Sequence, residues 1–211
     1  MAVRIFSPCA TFSIVSAVLL AGGVLGGGEA QANLRSSFPG RRVGGGTRGE
    51  CSARKLVHLV PESSVYAPGS SGLIGLLQGP STSPVSLKVS FKPENGSKET
   101  TRTLPATPAS VVLIAATPLS PTVWESSFNC TSGEAGNGSD PMAFVQATSP
   151  PALSLLVLDV EPSDQPIQSA LNTLQAQCGA TVSTAQTMAK FGLSDLITDE
   201  WPKQLPVQCS L

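Results

Sequence analysis

Short apolar runs, broken again and again by glycine and proline, constrain this chain more than any other feature. Its 211 residues include 20 glycines and 18 prolines, with only 13% charged and 5% aromatic residues. That composition favours many turns and short strands over long helices. The clearest run is Val85-Ser86-Leu87-Lys88-Val89-Ser90-Phe91. It alternates apolar and polar residues with the period of a half-buried strand. Pro93 and Asn95-Gly96 then form a turn, because Asn-Gly accepts the positive φ angles of a hairpin loop. Ser97 to Leu104 is a polar, exposed candidate for the returning strand.

Further strands are expected at Lys55 to Val60, Ser110 to Ala116, Thr122 to Asn129, Ala143 to Ala147 and Leu153 to Val160, the last buried on both faces. The stretch from Ser63 to Pro84 reads mostly as loop, with Leu73 to Leu77 as its one apolar patch. After Glu161 the period changes from 2 to 3.6. Ser163 or Asp164 can cap a helix with Pro166 in its first turn, placing Ile167, Leu171, Leu174 and Cys178 on one face before Gly179. A second helix begins near Ser183 or Thr184, directs Ala185, Met188 and Ala189 inward and breaks at Gly192. A short turn follows from Ser194 to Ile197, and the chain then runs extended past Trp201-Pro202 to Cys209. The expected fold is mainly β with α: a β-sandwich-like (Ig-like) domain followed by a short C-terminal helical segment.

The first 32 residues have the form of an export signal. Arg4 provides the positive start, Phe12 to Leu25 the apolar core, and Ala30-Gln31-Ala32 the small-residue cleavage pattern, so the mature chain is expected to begin at Asn33. The apolar run is too short for a membrane span of about 20 residues. No later segment is better suited to cross a bilayer. The expected organisation is a signal peptide at 1–32, a basic Gly-rich flexible arm at 33–50, a β-rich domain at 51–160, and a helical cap of the same domain at 161–211. The protein is then secreted or periplasmic.

Loss of Cys9 with the signal leaves Cys51, Cys130, Cys178 and Cys209, an even number in a compartment where disulfides persist. Three pairings are open. Position favours Cys178 with Cys209, which fastens the C-terminal tail, and Cys51 with Cys130, which fastens the arm. No C-x-x-C occurs and His58 is the only histidine, which argues against a zinc or redox site. No cofactor is expected.

Charge divides along the mature chain. Between Asn33 and Lys55 lie Arg35, Arg41, Arg42, Arg48, Arg54 and Lys55 against Glu50 alone, whereas from Leu56 onward acids outnumber bases two to one. Such a basic arm either meets an anionic polymer or membrane surface, through Arg41, Arg42, Arg48 and Arg54, or folds back on its own acidic body. Nucleic acid is the least expected partner, since Phe38 is the arm's one aromatic residue.

His58 sits in a predicted strand without a G-x-S-x-G serine elsewhere in the sequence, so it reads as a strand histidine rather than a general base. Gly44-Gly45-Gly46-Thr47-Arg48-Gly49 lacks the Lys-Ser or Lys-Thr of a phosphate loop. Asp159, Glu161 and Asp164, and again Asp195, Asp199 and Glu200, sit where helix caps require acids, although a carboxylate pair of this kind also fits a periplasmic hydrolase. The sequons at Asn95, Asn129 and Asn137 matter only in a eukaryotic host.

Phe38-Pro39-Gly40-Arg41-Arg42-Val43-Gly44-Gly45-Gly46-Thr47-Arg48-Gly49-Glu50-Cys51, followed by Leu56-Val57-His58-Leu59-Val60-Pro61-Glu62, resembles the opening of the DUF928 family of exported, mainly cyanobacterial proteins. Beyond Glu62 the resemblance fades. It implies a bacterial envelope setting and supplies no catalytic residue. The expected function is an exported, disulfide-bonded envelope protein acting as a non-enzymatic binding or structural module.

Overall fold

The period-2 segments form strands that stack as two sheets. A computed structural model describes residues 34–45, 54–129 and 150–210, all within one compact unit, Ala32–Leu211. The expected signal segment, Arg48, Cys51, Cys130 and the expected strand at Ala143 to Ala147 lie outside the described residues. In chain order the elements are α1 (Leu34–Ser37), β1 (Val43–Gly44), β2 (Leu56–His58), β3 (Val65–Tyr66), β4 (Leu73–Gln78), β5 (Leu87–Pro93), β6 (Thr100–Leu104), β7 (Ser110–Ala115), β8 (Thr122–Phe128), β9 (Ala152–Leu156), α2 (Gln165–Gln175), β10 (Thr181–Ser183), α3 (Thr184–Lys190) and β11 (Gln204–Ser210). One sheet runs β1-β2-β4-β7-β11-β10 and the other β3-β9-β8-β5-β6. The chain is therefore mainly β and sandwich-like, as its punctuation implies. The pairings β7–β11 and β3–β9 are parallel.

The hairpin β5–β6 forms where Asn-Gly predicts it, with Gly96 at φ 78° and the Asn95 side chain accepting from Ser97 N–H. The segment from Ser63 to Pro84 departs from its reading as loop, because Leu73–Gln78 is a central strand buried at every position. A strand covered on both faces shows no alternation, and this one borders a Gly-Ser turn. One face, with Leu76 and its neighbours His58 and Val112, points at the opposing sheet. The other face, at Gly75, receives Leu171 of α2: a methyl added there would lie 2.7 Å from Leu171 Cδ2 and 2.9 Å from Leu59 Cδ1.

Helix α2 buries Ile167, Leu171 and Leu174 as expected, together with Ala170, with Pro166 in its first turn, but it ends at Gln175, so Cys178 lies past it and exposed instead of on its apolar face. Helix α3 starts with Ser183 accepting from Gln186 N–H, but it buries Thr184, Thr187 and Met188. Ala185 and Ala189 face solvent instead of the interior. The face is set by Thr184, whose hydroxyl donates to Pro202 O and thereby fixes the helix rotation. The C-terminal segment is also more than a helical cap, because β11 enters the six-stranded sheet between β7 and β10. Cys178, just past α2, is bonded to Cys209 of β11 with Cα atoms 5.7 Å apart. Closing 31 residues in this way contributes about 3 to 4 kcal/mol in the chain-entropy model.

Residues 34–45, read from sequence as flexible arm, are built into the fold. Arg41 pairs with Leu153 of β9 in one sheet, and Val43 pairs with Val57 of β2 in the other. Phe38 packs on Val65, Ala67, Leu155 and Val157, covering the outer face of the five-stranded sheet. Glycine at positions 40 and 44 permits this approach, since a Cβ on Gly44 would lie 2.4 Å from the Ala152 backbone nitrogen.

Gly75→Ala tests the packing of α2 on β4. Overpacking against two buried leucines is expected to cost about 1 to 3 kcal/mol, read as a lower urea midpoint with unchanged slope.

Candidate functional site

The residues singled out by sequence do not converge. Arg41 is exposed. Arg42 is half-buried, and its guanidinium donates to Val60 O at 3.2 Å, Phe191 O at 3.1 Å and Gly192 O at 3.4 Å, capping the carbonyls that follow α3. Arg54, expected on an anion-binding surface, is 2% exposed. Its Nε donates to Gly79 O at 2.7 Å and its Nη2 to Thr107 O and to Pro108 O, and it lies 5.1 Å over the Phe128 ring. Burial lowers its pKa to about 10. It is an internal brace, because carbonyl oxygens and an aromatic face take the place of a carboxylate.

The arm folds back on the acidic body through Arg35. Its guanidinium grips the fully buried Asp164 at 2.7 and 3.3 Å, meets Glu161 at 2.9 Å and donates to Asp159 O at 2.6 Å. Asp164 also accepts from Glu161 N–H at 2.9 Å. Burial, with the Asp164 charge adding to it, pushes the Tyr66 phenol well above its ordinary pKa. Two of the carboxylates that a hydrolase reading would use therefore share one cation in fastening the arm. Asp195, Asp199 and Glu200 remain exposed and separate from this cluster.

His58 is sealed between the sheets. Its Nδ1 lies 2.8 Å from Ser154 Oγ and its Nε2 2.9 Å from Ser126 Oγ, and the ring stacks on Trp124 with centroids 3.5 Å apart and planes 5° from parallel. A neutral imidazole satisfies this geometry, with one nitrogen donating and the other accepting. Burial holds its pKa well below the ordinary histidine value. With 0% exposure, it cannot reach a substrate in solution.

A groove of about 330 Å³ opens to solvent beside the β5–β6 hairpin. Its floor comes from Phe91, Leu156 and Ala116, its rim from Lys98 and Arg102, and its far wall from the β7–β8 connection around Leu119. Among the described residues no carboxylate lines it. Sequence reasoning missed this site because its residues come from three separate segments. The one available signal was the arginine in an otherwise uncharged run, Thr100-Thr101-Arg102-Thr103-Leu104. Among the described residues no group of three or more metal-ligating side chains assembles, and no helix is long and apolar enough to cross a membrane. Compared with protein-family models, curated proteins and solved structures, the chain matches none.

Two measurements test the roles of His58 and Arg35. Protonating unfolded His58 while the folded ring stays neutral makes stability fall as pH drops below about 6.5, by up to about 1.4 kcal/mol per pH unit. His58→Phe is expected to lower stability at pH 7.5 by about 2 kcal/mol, through two unpaired serine hydroxyls, and to flatten the decline between pH 6.5 and 5.5 in urea titrations. Arg35→Met, which strands the buried Asp164 charge, is expected to cost about 3 kcal/mol, part of which Arg35→Met/Asp164→Asn recovers in a double-mutant cycle.

Proposed function

We propose that this chain is an exported, disulfide-bonded cell-envelope protein that acts as a non-enzymatic binding module. The observation that carries the reading is the groove, where residues facing the inter-sheet space reach solvent beside two cations. Ligand sites are commonly concave and apolar with a few placed polar groups, at volumes from about 300 Å³ upward. Further support comes from the chemistry around it: the sole histidine is enclosed, and Glu161 and Asp164 are engaged by Arg35. The export signal, the Cys178–Cys209 bond and the resemblance of residues 38–62 to exported proteins favour an envelope setting.

The arm is no longer the best anion-binding surface, since Arg42 and Arg54 are spent on backbone carbonyls. An envelope component small enough for the groove fits better than a polymer lying along the arm.

The test uses protein purified from cells that process it naturally. Mass spectrometry is expected to find Asn33 at the N-terminus and Cys178 joined to Cys209. Under native conditions it is expected to find a non-covalent small-molecule adduct that Thr100→Trp, which fills the groove, lacks. Recovery in the cytoplasmic fraction with both thiols free would refute the export reading; an adduct pattern identical in the variant would refute the binding site.

A further inference from the structure

We infer that the groove takes an anionic amphiphile: a single carboxylate-like or phosphate-like head held by Arg102 and Lys98, with a short apolar body against Phe91, Leu156 and Ala116. This deepens the binding-module reading and rests on it.

Register places the residues. On β5–β6, Phe91 is opposite Thr100 and Val89 is opposite Arg102, while Leu87 is opposite Leu104. Residues directly opposite in a sheet share a face. Val89, Leu87 and Leu104 are core residues, so Thr100 and Arg102 also project into the inter-sheet side. They stay exposed because the facing layer there is the β7–β8 connection, residues 116–121, in place of a strand. The groove is thus the open mouth of the sandwich, and its floor continues the hydrophobic core: Phe91 and Ala116 pack directly against it, and Leu156 is 1% exposed.

Charge selects the head group. Neither Lys98 nor Arg102 takes part in an ion pair among the described residues. Arg102 rests 6.0 Å over the Phe91 ring, so its charge lies beside the apolar floor of the groove. A planar guanidinium matches a carboxylate or phosphate with two parallel hydrogen bonds. Ser97 and Thr100 add hydroxyls at the same rim. A cation would meet two like charges and, among the described residues of the lining, no acid. A free inorganic anion would leave the half-buried Phe91 and Ala116 wet. A neutral apolar molecule would leave the rim cations unused.

Calorimetry on the full, naturally processed protein with decanoate, decanol and acetate tests the assignment. Decanoate is expected to bind about tenfold or more tightly than decanol or acetate. Arg102→Ala is expected to weaken decanoate about tenfold while Arg102→Lys recovers part of the loss. Phe91→Ala is expected to weaken it through the apolar body. Circular dichroism confirms that each variant is folded; should Phe91→Ala not fold, Thr100→Trp, on an exposed strand position, replaces it. Parallel retention on phosphatidylglycerol vesicles separates sources: retention lost in Arg102→Ala points to a membrane lipid, and decanoate binding without such retention points to a free monomer. Decanoate binding no tighter than acetate, or equal in Arg102→Ala, overturns the inference. If that happens while a Thr100→Trp-sensitive adduct persists, the ligand class fails and the binding-module reading survives; if the adduct is also insensitive, both fail.

Discussion

The two sheets are held in one relative position by His58. Hydrophobic contact alone drives sheets together without fixing how they are placed, because it is non-directional. The imidazole of β2 reaches across to Ser154 of β9 and Ser126 of β8, and lies flat on Trp124 of β8. Sliding either sheet by one residue would bury two hydroxyls and an imidazole unpaired, at about 1 to 3 kcal/mol for each group. The same strand position also takes a backbone bond from the N-terminal segment, His58 N–H to Arg42 O at 2.8 Å. Sheet placement and arm placement therefore meet at one residue.

From that point the arm works as a clasp. It passes from β9 at Arg41 to β2 at Val43, so it closes the edge at which the two sheets adjoin. Its charges follow the same logic. Arg35 supplies the cation for the buried Asp164 ahead of α2, Arg42 caps the end of α3, and Phe38 covers the outer face of β3 and β9. A segment rich in arginine and glycine looks solvated as a sequence, but here glycine permits close backbone approach and arginine reaches carbonyls over a distance that a shorter side chain could not span.

That contrast explains how much was legible. Residues whose role is repeated along the chain were readable: the alternation in Val85–Phe91, the Asn95-Gly96 turn, and the apolar face of α2 from Ile167 to Leu174. The Cys178–Cys209 preference followed from position alone. Residues whose role depends on a single distant partner were not. Leu73 to Leu77 looked like a patch in a loop because a strand buried on both faces has no period. Arg54 looked like surface because its acceptors, the carbonyls of Gly79, Thr107 and Pro108, carry no sequence signature. The rotation of α3 was missed because one hydrogen bond from Thr184 outweighs two small alanines. The groove shares this character, since its floor and rim come from β5–β6, the β7–β8 connection and β9.

The groove also sits where a sandwich is most vulnerable. Exposed strand edges invite pairing with other chains, and proteins blunt them with short strands or inward-pointing charge. Here β1 and β3 have two residues each and β10 has three, whereas the edge strand β6 has five. Arg102, directed inward on β6, is such a charge. Edge protection accounts for the arginine but not for its surroundings: an apolar floor opening beneath it, Lys98 at the same rim and no carboxylate among the described residues of the lining are not needed to discourage a passing strand. A cation held over an open extension of the core makes the edge unattractive to another chain while leaving it receptive to a small amphiphile, so one side chain can satisfy both demands.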